Sequence, residues 1–301
     1  MRQAYQEINF KPDTLAFIRV MNSIIGEYQQ AGYVLTVRQL YYQLVARDII
    51  PNTLQEYKRA ASIINDGKMA GLIDWDAIED RTREFVSRSH WTSGAEILET
   101  CAKGYHQDLW VGQEYRVFVI VEKEALAGVL DRPCRELDVP LLAARGYPSG
   151  TVLREFAQEK LLPAFEQNQM PIILHLGDHD PSGIDMTRDL KDRLALFGEY
   201  NDADEVDLYR IALNMDQVEQ EQPPENPAKK TDARFKAYRR EFGDSSWELD
   251  ALPPQYLDRL VRTHIEAFVN KEQRAKVQAE IEEVRVRIEN MAAEFEERDD
   301  D

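Results

Sequence analysis

PIILHLGDHDPSG, residues 171–183, is the stretch on which the fold turns. It opens as an unbroken apolar run, which is how a strand covered on both faces of a parallel sheet reads. It closes on Asp178 and Asp180, bracketed by Gly177 and Gly183, where a helix is due to begin. Ligands of open parallel sheets gather just beyond the carboxyl ends of the strands, so two acids at such an end point first to chemistry. The Asp-x-Asp spacing sets both carboxylates on one side of an extended segment, and the glycines permit tight turns around them.

Outward from this stretch the pattern repeats. VFVIV (117–121), PLLAA (140–144) and VDLYRIAL (206–213) are further short apolar runs, separated by helical stretches at about 124–136, 151–168 and 184–197. Strands alternating with helices predict an α/β domain with a Rossmann-like parallel sheet over residues 115–213. No P-loop and no GxGxxG follows any of the strands, which argues against the ordinary nucleotide folds. Glu122 directly follows VFVIV and is a further acid at a strand end. A single acid there is usually a solvated turn residue, but two close carboxylates repel unless a cation pairs them. Glu122, Asp178 and Asp180 together make a hard oxygen donor set suited to magnesium, with manganese as a substitute. Strand alternation turns His179 away from its neighbours, Lys123 is placed to meet phosphate or solvent, and Asp185 falls in a first helical turn.

Upstream the periodicity is helical. A first helix is expected from Asp13 or Thr14 to Gly32, and a second from the cap residue Thr36, with Val37, Leu40, Tyr41, Leu44 and Val45 as its core stripe. Pro51 and Asn52 break the chain before a third helix, about Thr53 to Met69. With LIDWDAIEDRTR (72–83) as a candidate wing, residues 1–91 predict a winged helix-turn-helix domain. Residues 92–114 read as a linker, 214–246 as a Pro-rich charged connection, and 247–301 as a helical tail. In that tail Val277, Ile281, Val284, Ile288, Met291 and Phe295 make a short heptad seam, open to reading as a docked helix or as an intermolecular coiled coil.

A net charge of −18 argues at first against a nucleic-acid partner. The acidity is segregated, however: residues 199–226 carry nine acids and one Arg, and residues 271–301 carry eleven acids and six bases. Residues 34–91 are balanced, and residues 229–240 hold six bases against one acid. Lys58, Arg59 and Lys68 on the helical domain, with Lys229, Lys230, Arg239 and Arg240, are therefore the candidate DNA contacts. The two cysteines lack metal or redox spacing, and neither a secretory h-region nor a membrane span is present. A cytoplasmic protein with no membrane partner is expected, associated with the nucleoid in a bacterium or archaeon.

The Glu in VIVEKEAL (119–126) and the DxD in LGDHDPSG (176–183) resemble the Toprim domain shared by topoisomerases, bacterial primases and certain nucleases. The closer likeness is to the A subunit of topoisomerase VI and its meiotic double-strand-break relatives. That family sets a winged helix before its Toprim domain, carries an EK pair after the first strand, and has a GYP turn that RGYPSGT (145–151) resembles. The pieces match in order over roughly residues 34–190. The resemblance implies magnesium-dependent DNA cleavage, with the metal at Glu122, Asp178 and Asp180. It also implies a nucleophilic tyrosine on the winged helix, and TVRQLYY (36–42) puts Tyr42 at that position.

Periodicity separates the two tyrosines. Tyr41 lies in the core stripe, whereas Tyr42 is rotated by about 100° from it and shares a face with Arg38, four residues earlier. An Arg there suits a phenolate or a scissile phosphate. Plasmid-restricting nucleases share the domain order yet hydrolyse DNA without this tyrosine, so Tyr42 and water both stand as nucleophiles. A double-strand break implies a homodimer, and the resemblance to topoisomerase VI, whose A subunit needs a separate B subunit to pass strands, leaves room for a separately encoded ATPase partner. SWELDALPP (246–254) has no counterpart in this resemblance. The alternative is a non-catalytic winged-helix DNA-binding regulator with a degenerate acidic site.

Overall fold

The computed structural model describes residues 2–79 and 88–299. Its N-terminal part is helical: α1 (Pro12–Gln30), α2 (Val37–Ala46) and α3 (Leu54–Met69) pack Ile18, Met21, Ile25, Leu40, Leu44 and Ile64 into one core. Local chemistry fixes where these helices start. The Thr36 hydroxyl accepts from the Gln39 N–H at 3.2 Å, and the Gln39 side chain accepts in return from the Thr36 N–H at 2.8 Å, a reciprocal capping box. Thr53 caps α3 by accepting from the Glu56 N–H at 3.2 Å. The segment read as a wing contributes β2 (Ile78–Glu79), which runs parallel to β1 (Leu35–Thr36). The remainder of that segment, 80–83, lies outside the described residues.

Residues 92–114, expected as a linker, contain α4 (Gly94–Gly104), capped by the Ser93 hydroxyl on the Glu96 N–H at 3.1 Å. Its buried residues are Ala95 and Ala102, too small to write an apolar stripe into the sequence.

An α/β domain follows, with β3 (Tyr115–Val121), α5 (Ala127–Glu136), β4 (Leu141–Ala143), α6 (Gly150–Phe156), α7 (Leu162–Glu166), β5 (Met170–Leu176), α8 (Pro181–Phe197) and β6 (Leu208–Ala212). The four strands are parallel, in the order β4-β3-β5-β6. Helices cover both faces, which is why the strands read as continuous apolar runs. Val117, Val119 and Val121 face one core together with Val129 and Leu130 of α5, while Phe118 and Ile120 face the other with Leu153 of α6 and Met186 and Leu190 of α8. The chain leaves β3 toward β4 on one side and returns past it to β5 on the other. The order therefore reverses between β3 and β5, and the ligand crevice of such a sheet lies beyond their carboxyl ends.

Residues 214–246, expected as an exposed connection, form a small lobe of α9 (Met215–Glu221), β7 (Glu225–Pro227) and α10 (Phe235–Phe242), which leads into β8 (Ser245–Trp247). β7 and β8 pair antiparallel, and Ala228, Phe235 and Tyr238 bury together against Ile184 of α8. The lobe is joined to the sheet's end by main-chain bonds: the His179 N–H donates to the Trp247 carbonyl at 2.9 Å and the Trp247 N–H to the His179 carbonyl at 3.0 Å.

The chain ends in α11 (Pro254–Glu266), which packs Leu257, Val261 and Ile265 against the α5 side of the sheet, and α12 (Lys271–Asp299). α12 lies along α4, burying Val277, Ile281 and Ala292, and Arg285 donates to the Tyr105 carbonyl at 2.9 Å. The first part of the heptad seam is thus docked on its own chain, while Met291 is exposed. Among the described residues no helix is long and apolar enough to cross a membrane.

Candidate active site at the sheet switch point

Glu122, Asp178 and Asp180 come together at the carboxyl ends of β3 and β5, each held by main-chain bonds. The Glu122 carboxylate accepts from the Asp178 N–H at 2.9 Å. Its own carbonyl accepts from the Gly146 N–H at 3.1 Å, so the GYP turn, where Gly146 has a φ of 88°, is built onto the same strand end. Asp180 is the N-cap of α8: one oxygen accepts from the Gly183 N–H at 2.7 Å and from the Ser182 hydroxyl at 2.8 Å. Asp178 is buried; one oxygen accepts from the Leu249 N–H at 2.8 Å and the other lies 3.1 Å from the Lys123 ammonium.

Gly183 is required by space, because a Cβ there would collide with the Asp178 carbonyl oxygen. A Cβ on Gly177 would sit 3.0 Å from the Glu122 carboxylate. Arg210 of β6 fastens the loop from behind, donating to the carbonyls of Gly177 at 2.9 Å, Asp178 at 2.7 Å and Gly183 at 2.9 Å. Burial lowers its pKa to about 10.

In this corner burial outweighs the two nearby cations, Lys123 and Arg210. Burial raises the Glu122 carboxyl, and the charge of Asp180 adds to the effect. Burial likewise pushes Asp178 up to about 7, against the pull of Lys123. Among the described residues no set of three His, Cys, Asp or Glu side chains converges tightly enough to hold a metal ion. What is left open is one oxygen each on Glu122 and Asp180, with no hydrogen-bond partner among the described residues, both hard donors of the chemical kind that magnesium takes. Asp178 is engaged on both oxygens.

Beside this corner lies a second cluster of opposite character. Lys123 reaches Glu248 at 2.7 Å and Asp250 at 2.8 Å. Arg38 of α2 pairs with the same two acids, with Glu248 and, at 2.7 Å, with Asp250. Each acid therefore bridges a cation of the helical domain and a cation of the sheet. Burial opposes ionisation of Glu248, but Lys123 and Arg38 outweigh it and hold the carboxyl down at about 2. Burial would also lower Lys123, but the carboxylates of Asp250, Asp178 and Glu248 raise it overall.

Tyr42 borders this cluster. It is 4% exposed, its hydroxyl lies 3.5 Å from the Arg38 guanidinium, and that guanidinium sits 5.7 Å from the ring centroid. Burial raises its phenol, and the charges of Asp250 and Glu248 raise it further. A cleft of about 250 Å³ opens alongside, lined by Arg38, Tyr42, Tyr57, Asn226 and Glu248 among others.

The candidate DNA contacts are dispersed. Lys58 is exposed on α3, and its neighbour Arg59 pairs with Glu56 at 2.7 Å and lies over the Phe17 ring. Lys68 points its ammonium at the carbonyls of Ile78 at 2.6 Å and Trp75 at 3.1 Å, tying β2 to α3. Lys229, Lys230, Arg239 and Arg240 are exposed around α10, with Arg239 paired to Asp244 at 2.9 Å. His179 does turn away from the carboxylates: it is buried among Tyr238, Phe242 and Trp247, with Nδ1 2.8 Å from the Tyr238 hydroxyl. Asp185 binds Tyr147 at 2.8 Å and Arg234 at 2.7 Å.

Arg210, Glu248 and Asp250 are the site residues that reading the sequence missed. A usable signal existed for two of them, since ELD at 248–250 repeats the acid-x-acid spacing of DHD at 178–180. Comparison with protein-family models and with curated proteins finds no match.

Proposed function

We propose that this chain is a magnesium-dependent, Toprim-type enzyme that cleaves DNA strands, with its helical domain serving as a winged-helix DNA reader. The observation that carries the reading is that Glu122, Asp178 and Asp180 lie together at the ends of β3 and β5, with Arg38 of α2 latched beside them through Glu248 and Asp250 and Tyr42 next to Arg38. Glu122 and Asp180 would hold the metal, whose chemistry is to stabilise charge developing on phosphate oxygens. Arg38 and Lys123 orient the phosphate, and Arg210 keeps the loop in register. Water is the favoured nucleophile, because the Tyr42 hydroxyl is buried and its phenol raised. A homodimer supplies the two equivalent sites that a double-strand break needs.

A DNA-binding regulator with a degenerate site is the second reading, favoured by the one observation that Lys123, a cation of the chain itself, pairs with Asp178. Supercoiled plasmid incubated with and without magnesium separates the two. Cleavage should need the metal and disappear in Glu122→Gln and Asp180→Asn, while both variants still bind DNA. Cutting by both variants at the wild-type rate overturns the metal site; no cutting by the wild type with magnesium or manganese leaves the regulator.

A further inference from the structure

The segment 248–250 carries charges that the cleavage reading does not use. Its main chain is pinned on both sides, by Trp247 on His179 and by the Leu249 N–H on Asp178. Its two acids are unequal. Asp250 has a fully buried side chain and meets Lys123 with one oxygen and Arg38 with the other. Glu248 is reachable: its side chain is 28% exposed, that of Arg38 is 43% exposed, and both border the cleft. A single Glu248 oxygen takes both cations, Lys123 at 2.7 Å and the Arg38 guanidinium. One anionic oxygen held between an ammonium and a guanidinium is the coordination that a phosphodiester oxygen takes up on a protein.

We infer that Glu248 is an internal surrogate for a phosphodiester: it occupies Arg38 and Lys123 in the free protein and turns into the cleft when a backbone phosphate replaces it. Asp250 keeps both cations in place throughout, because it pairs with them from the buried side and does not move. With Glu248 displaced, the carboxylate that pairs with the exposed side of Arg38 is removed. The exchange needs only side-chain rotation, since the backbone bonds of 247 and 249 do not involve the Glu248 carboxylate. The inference rests on the DNA-cleavage reading only for what carries the phosphate.

The test is a binding titration in chelator, so that no strand is cut, with a short duplex and with the dinucleotide dTpdT as probes. Removing the competing carboxylate in Glu248→Gln should tighten binding about ten-fold. Arg38→Gln added to that variant should cancel the gain. A lower melting temperature is expected on either account; a purely structural bridge predicts equal or weaker binding, and that result overturns the inference. Tighter dTpdT binding by Glu248→Gln with no duplex binding by either protein supports the surrogate and removes the DNA reading. Duplex binding that is the same in wild type and variant does the opposite. Failure of every variant to bind either probe overturns the surrogate. If Glu248→Gln does not fold, Glu248→Asp draws the carboxylate back by one methylene and should still bind more tightly than wild type; no gain there also overturns it.

Discussion

DHD at 178–180 and ELD at 248–250 meet at the same crevice with the same spacing, and Lys123 touches both, but Asp180 is held by main-chain and hydroxyl donors whereas Glu248 and Asp250 each take two cations. Around Glu122 and Asp180 the protein supplies main-chain N–H groups and leaves one oxygen of each carboxylate without a hydrogen-bond partner among the described residues, and burial, with the charge of Asp180, raises the Glu122 carboxyl against the pull of Lys123 and Arg210. Around Glu248 and Asp250 it supplies Lys123 and Arg38, so the Glu248 carboxyl falls to about 2. Spacing alone therefore does not say what an acid pair is for. A compensated pair joins parts of the fold, whereas an uncompensated one is available to an external cation.

The comparison breaks most visibly at Asp250. Asp250→Ala leaves two buried or half-buried cations without their inner partner and should cost about 3–5 kcal/mol of stability. Urea unfolding followed by circular dichroism measures this, and a loss below about 1 kcal/mol, the value of an exposed pair, would place Asp250 outside the joint. Glu248→Gln comes next. The Glu248 carboxyl lies below its ordinary 4.5, so its contribution is present above that pH and is lost as pH falls toward 2. The wild type should exceed Glu248→Gln by on the order of 3 kcal/mol at neutral pH, with the gap closing in acid.

Glu122 carries the opposite sign. Its folded carboxyl is raised above 4.5, so ionising it costs stability, and the cost grows as pH rises past that value. Without divalent cation, Glu122→Gln should melt slightly higher than wild type at neutral pH, and added magnesium should erase the difference by stabilising only the wild type. An equal melting shift in both proteins would show that magnesium binds elsewhere. Tyr42→Phe should be the mildest change. It keeps the buried ring and loses the hydroxyl's long contact with Arg38 and its interaction with Glu248, each worth about 1 kcal/mol or less. The variant should retain most cleavage, and a covalent protein–DNA adduct trapped from wild type by denaturation, but not from Tyr42→Phe, would instead make Tyr42 the nucleophile.

What could be read beforehand follows the same physics. The strands, the caps at Thr36 and Thr53, and the acids at the ends of β3 and β5 are written in local pattern, and each stands within a residue or two of where that pattern puts it. α4 was hidden because alanines form its buried face. The lobe at 214–246 was hidden because a three-residue ladder and two aromatics hold it, amid prolines and charges. Glu248 and Asp250 act on Lys123 from 125 and 127 residues away, a separation no local window spans. Arg210 stood out only as a lone base in an acidic tract, although its position inside an apolar strand signalled a buried cation with several partners.

The most direct measurement is calorimetric titration of magnesium into the metal-free wild type, Glu122→Gln and Glu248→Gln. Binding should appear in the wild type, vanish in Glu122→Gln and survive in Glu248→Gln, because only the first substitution touches the uncompensated carboxylates. Absence of binding in the wild type, or binding that Glu122→Gln leaves intact, would contradict the assignment of the metal to this corner.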